Sequence, residues 1–189
     1  MNNDQKILVL GLLGLAAYYL YKNQPSTFTD VETAAQGAAS DVEAATVGWK
    51  NAGSGPTWVP VLNQYEAEYG LPQDILAATA YQESRFIENV IRGLTPSSDG
   101  LSLGIMQLQT QFYPSLVGPG IPVPYTNQNV SDQINMAAQV FASNYAVLGS
   151  WEATIAAWNQ GLAGVQRNGI TSTSYVANII ANAPAASIS

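Results

Sequence analysis

The sequence predicts an all-α domain over residues 57–183, preceded by an apolar N-terminal helix and a small-residue stalk. Three observations predict it. Apolar residues recur at intervals of three and four, turn and capping residues cut the domain into helix-length pieces, and no β-hairpin signal rises above the background. Composition agrees: 47% of residues are hydrophobic and 10% charged, too apolar and too weakly charged for a disordered chain.

Ile7 to Tyr21 (ILVLGLLGLAAYYLY) carries no charge and ends in Tyr18, Tyr19 and Tyr21 before Lys22. As a helix this run spans about 22 Å, short of the roughly 30 Å hydrocarbon core. Interfacial tyrosines and a snorkelling lysine reduce that deficit. Residues 1–22 are therefore expected to form a transmembrane anchor, with the membrane as a partner through residues 7–21. A secretory signal has an apolar core of the same length. Against it, Met1–Lys6 balances one acid with one base, and no small-x-small cleavage site follows directly. A buried core helix is the third reading, disfavoured by hydrophobicity on every face. The flanking charges leave the orientation open.

Residues 23–56 shift to Ala, Thr, Ser, Gly and Gln, as expected of a stalk. Val31, Ala35, Ala38, Val42, Ala45 and Trp49 fall at 4-3-4-3-4 spacing, a thin heptad seam. A lone, partly formed helix is favoured, with self-association of the stalk as the alternative. Asn51-Ala-Gly-Ser-Gly-Pro56 reads as a hinge.

Within the domain, a helix over Trp58 to Tyr69 is stopped by Gly70. Pro72 suits the first turn of a helix running to Phe86, with Asp74 near its positive end. A Gly-, Ser- and Pro-rich loop over 93–104 leads to a short helix at 105–112, then to an irregular stretch over 113–129. Asn129 or Ser131 caps a helix to about Leu148, and Ser150 caps another through Trp158. Gly161 and Gly164 punctuate a turn, a last helix covers 174–182, and residues 184–189 form a tail.

The chain has no histidine and no cysteine. That removes Ser-His-Asp and Cys-His catalysis, most zinc sites and any disulfide, so no metal or cofactor is expected. Acid–base chemistry falls to carboxylates. The net charge of −7 and the scattering of six basic residues (Lys6, Lys22, Lys50, Arg85, Arg92, Arg167) argue against nucleic acid as a partner. Among the acids, Glu83 stands out. Leu76, Ala80, Glu83 and Ile87 fall at spacings of 4, 3 and 4 and so share one helix face. A carboxylate on a core-facing stripe must be paired, neutralised or functional. Arg85 and Arg92 are pairing candidates. Burial against Leu76, Ala80 and Met106 would instead keep it protonated near neutrality, as a general acid for glycosidic cleavage requires.

Gln82-Glu-Ser-Arg-Phe86, Gly104-Ile-Met-Gln-Leu108 and Ala157-Trp-Asn-Gln-Gly161 resemble, in order, the three motifs of the soluble lytic transglycosylase catalytic domain, which shares the goose-type lysozyme fold. The resemblance covers about residues 62–169, and the helix from Asp132 to Phe141 resembles the family's structural helix, with Ala137 where glycine is usual. It implies a lysozyme-like helical domain acting on peptidoglycan glycan strands. Glu83 would be the sole catalytic acid and base, with Ser84 behind it as a substrate contact or a helix hydrogen-bonder. Gln107 and Met106 would line the glycan cleft, Gln107 hydrogen-bonding the sugar and Met106 packing beside Glu83, and Asn159 would help hold the sugar or the glutamate. Trp158 stands where tyrosine is usual and trades a hydroxyl for an indole N–H.

The loop between the first two motifs carries Asp99, in a region where goose-type lysozymes place assisting aspartates. If it reaches the cleft it makes the enzyme a water-using muramidase; otherwise Ser-Ser-Asp-Gly is a turn. Tyr81, Tyr113, Tyr125 and Tyr145 could stack on sugar faces; most are expected in the core or at the rim, and Tyr125, in the irregular segment, is the candidate taken forward. A silent peptidoglycan-binding module is the non-enzymatic alternative, expected to have lost Glu83. Anchor, stalk and small muralytic domain suit local wall penetration by a membrane-bearing phage virion or by an envelope machine. The expected location is a membrane, with the domain facing the wall.

Overall fold

The computed structural model describes residues 48–98 and 100–183. The expected anchor at 7–21, most of the stalk, Asp99 and the tail at 184–189 lie outside the described residues. Among those described, no helix is long and apolar enough to cross a membrane. The chain divides into two units, Met1–Gly48 and Trp49–Ser189, and the second is the one described below.

A 3-10 turn over Trp49–Asn51 leads into helix α1, Gly55–Tyr69. Pro56 sits in its first turn, where the missing N–H costs nothing, and Gly70 ends it in the left-handed conformation (φ 65°). Trp49–Pro56, expected to be stalk end and hinge, belong to the folded unit: Gly55 is buried and the Ser54 amide bonds the Phe86 carbonyl.

Helix α2, Ile75–Ser84, runs through the middle of the core. Ile75, Leu76, Ala77, Ala78 and Ala80 are all fully buried, so the helix is apolar around most of its circumference rather than along one stripe. It is shorter than expected at both ends. Asp74 is left-handed (φ 67°) and leaves Pro72 in the preceding turn. At the other end Arg85 and Phe86 are both left-handed (φ 51° and 52°). The chain therefore leaves the helix axis before Ile87, which is 52% exposed.

A short helix α3 (Glu88–Ile91) precedes a small antiparallel hairpin of β1 (Ser102–Leu103) and β2 (Leu108–Gln109), with Ser102 opposite Gln109 and Leu103 opposite Leu108. The short helix expected at 105–112 is absent, because Gly104 (φ 81°) and Gln107 (φ 47°) turn the chain back on itself, while the rest of the described domain is mostly helical, as expected of an all-α lysozyme-like fold. A side chain at 104 would put its Cβ 2.0 Å from Gln133 Oε1, so glycine is required for the hairpin to dock.

Helix α4 (Pro114–Val117) interrupts the irregular stretch. Helix α5, Asn127–Leu148, starts earlier than expected because Thr126 is its N-cap in a reciprocal capping box with Asn129. Helix α6, Trp151–Gln160, is capped by Ser150 as expected, its hydroxyl accepting the Ala153 N–H. Helix α7 (Leu162–Asn168) replaces the expected turn, and α8 covers Thr173–Asn182. Helix α5 packs on α1 and α6, and α8 packs on both α2 and α6. Leu62, Ile75, Leu76, Ile105, Ile134, Phe141 and Ile155 meet in the core at 0% exposure, each worth about 1.5–3 kcal/mol of burial.

Candidate active site

The end of α2, the hairpin, the middle of α5 and the junction of α6 with α7 wall an open cleft of about 820 Å³. Its lining includes Glu83, Gln107, Gln109, Asn144, Trp158 and Asn159. Glu83 projects from the last turn of α2 and is half-buried, so it is desolvated yet reachable from the cleft. The hydroxyl of Tyr175, on α8, donates to Glu83 Oε1 at 2.5 Å, a length typical of a bond to a carboxylate. The Trp158 side chain, on the same wall of the cleft, also favours the charged form of Glu83. Burial pushes the Glu83 carboxyl above its ordinary value, and the Tyr175 and Trp158 donors only partly offset that. Neither arginine neutralises it: Arg92 pairs with Glu88 at 2.6 Å, and Arg85 bonds Gln82 and lies over the Tyr81 ring.

Four of the expected residues meet here. Gln107 is held by its own left-handed backbone and by donation from Nε2 to the Gly104 carbonyl at 2.8 Å. Trp158 packs its ring 5.4 Å from that of Phe141 on α5 and lines the cleft beside Glu83. Asn159 is exposed along the cleft wall.

Three others do not line it. Ser84 is buried, donates to the Ala80 carbonyl at 2.8 Å and accepts the Phe86 N–H at 3.3 Å; it closes the end of α2. Met106 is fully buried in the core, because its neighbour Gln107 takes the cleft side of the hairpin turn. Tyr125 is 2% exposed, its ring against Gly93 and its hydroxyl donating to the Val117 carbonyl. The irregular segment folds inward at that point.

Tyr113 lines the cleft, and Tyr175 lies beside it; the sequence does not point to Tyr175, nor to Gln109, Asn144 and Phe112 of the lining. The one signal for Tyr175 was its spacing of four from the buried Ile179, which reads only as core.

Residues 60–178 match the model of the transglycosylase SLT domain. The match covers more than half of the chain, so this chain belongs to that family. Its members are lytic transglycosylases, lyases that act on peptidoglycan, and this protein is an enzyme of that class. No curated protein and no solved structure gives a significant match.

Proposed function

We propose that Glu83 alone supplies both the acid and the base for cleavage of the β-1,4 bond between N-acetylmuramic acid and N-acetylglucosamine, closing a 1,6-anhydro ring on the muramic acid. The observation that carries this reading is the carboxyl of Glu83, desolvated and bonded by the Tyr175 hydroxyl at the wall of the cleft. Its raised pKa suits a group that must first give a proton. The proton passes from Glu83 to the leaving glycosidic oxygen as the bond at C1 breaks. The 2-acetamido group of the muramic acid supports the cation that develops there. The carboxylate then takes the proton of the 6-hydroxyl as its oxygen bonds to C1, which restores the acid without water. This is a substrate-assisted variant of the two-carboxylate scheme. In this reading Gln107 and Asn159 hold acetamido or hydroxyl groups of the sugar, and Trp158 supports Glu83 from the same wall.

The apolar run at 7–21 supports a membrane tether, and tether, stalk and small lytic domain together suit local wall penetration by a virion or an envelope machine. Digestion of purified sacculi tests the chemistry. The expected products are 1,6-anhydro muropeptides by mass spectrometry, and Glu83→Gln should lower the rate by about 100-fold or more. Reducing-end products would transfer the role of nucleophile to water and bring Asp99 forward.

A further inference from the structure

Residues 49–54 lie outside the matched span of 60–178, yet they grip the helix that carries Glu83 at both ends. At its start, Lys50 Nζ pairs at 2.7 Å with Asp74, the N-cap residue of α2. At its finish, Trp49 is 5% exposed and its ring lies 5.6 Å from Tyr81 and 6.3 Å from Phe86. Those two residues flank Glu83 in sequence. The Ser54 amide donates to the Phe86 carbonyl at 2.9 Å, and its hydroxyl donates to Glu88. Gly53, left-handed at φ 47°, makes this approach feasible: a Cβ there would stand 2.3 Å from the Phe86 oxygen.

What these residues hold is unfavourable by itself. Arg85 and Phe86 are consecutive non-glycine residues with φ near +50°, a conformation that L side chains adopt rarely and seldom twice in succession. Such backbone persists where its surroundings over-determine it. Here the surroundings are the buried Phe86 side chain and the Ser54 hydrogen bond to its carbonyl.

We propose that residues 49–54 form a positioning strap, which fixes the two-residue left-handed turn after α2 and through it the direction in which Glu83 enters the cleft. None of the strap residues lines the cleft, so they act on the reaction through Glu83 and not on the sugar. The proposal rests on the reading of Glu83 as acid and base.

The test uses the full chain on soluble peptidoglycan strands, with activity expressed per folded molecule from circular dichroism. Trp49→Ala and Gly53→Ala should lower kcat by about tenfold or more, as expected when a reacting group is displaced by a fraction of an ångström, with KM held within about twofold. The pH–rate limb belonging to Glu83 should move in both variants, and Trp49→Phe should restore most of kcat. Unchanged kcat in Gly53→Ala and Trp49→Ala overturns the strap. So does loss of folding in both, which would make these residues scaffold alone. Glu83→Gln runs beside them: if it keeps full activity, the reading of Glu83 fails, whereas an inactive Glu83→Gln with unaffected strap variants sinks only the strap.

Discussion

At the carboxyl of Glu83, burial and hydrogen bonding oppose one another, and burial is the larger. Tyr175 is the donor best placed to shift that balance, because its hydroxyl is committed to Glu83 Oε1. Removing it in Tyr175→Phe deletes a bond to a charged acceptor, worth about 1.5–3 kcal/mol. The carboxyl should rise further, so the limb of the pH–rate profile that requires a protonated acid should move to higher pH. Lost orientation should lower kcat by about tenfold or more. An unmoved profile with unchanged kcat would mean that the hydroxyl does not hold Glu83. The contrast between Glu83 and Tyr175 also shows what was legible. Glu83 was readable because a carboxylate among Leu76 and Ala80 conflicts with its face, and Gln107, Trp158 and Asn159 came with their motifs. Motif membership says nothing about which way a side chain points, so the motifs suggest a cleft position for Met106 and Ser84 that their neighbours Gln107 and Glu83 take. Tyr175 was hidden because its contact spans 92 residues of sequence.

Helix α2 takes its N-terminal cap from another helix. Asp74 makes no side-chain cap; instead Glu66 of α1, 2% exposed, accepts the N–H groups of Asp74 at 2.6 Å, Leu76 at 2.7 Å and Ala77 at 3.1 Å. This non-local cap explains why the start of α2 was misplaced from sequence, whereas Gly70 and Ser150, acting within their own segments, were read correctly. The hairpin was illegible for a related reason: two-residue strands carry no alternation, and the turn depends on Gly104 fitting against Gln133. Burial lifts the Glu66 carboxyl to about 7 from an ordinary 4.5, against the pull of the three N–H donors. A pKa raised on folding contributes stability in full below about 4.5, and that contribution is lost as pH rises through about 7. Glu83, also raised, acts in the same direction. The domain should therefore melt at higher temperature at pH 5 than at pH 8, with Glu66 accounting for up to about 3 kcal/mol. Glu66→Gln should lower Tm at both values, since its amide group faces N–H donors, and should flatten most of the slope. A wild-type Tm that climbs from pH 5 to pH 8 would show that the donors outweigh burial and that Glu66 is ionised in the fold.

For the molecule as a whole, the two units call for different surroundings. The described domain encloses an apolar core of its own, and the run at 7–21 has fifteen residues without a charge. Attachment to a bilayer through that run would be hydrophobic and almost insensitive to salt, whereas a peripheral basic patch is screened within about 3 Å at 1 M salt. The net charge of −7 makes electrostatic adhesion to anionic lipid unfavourable in any case. The full chain should therefore float with anionic phospholipid vesicles in a density gradient at about 1 M salt, and a chain lacking residues 1–22 should stay in the aqueous fractions. Floating that disappears in high salt would rule out the hydrophobic tether, and floating of the shortened chain would locate the attachment in the domain. The intact mass of the protein recovered from its producing cells adds the last discrimination. Retention of residues 1–22 means an anchor, and their loss means that the same fifteen residues served as a secretory signal, leaving the domain to reach its glycan strands by diffusion.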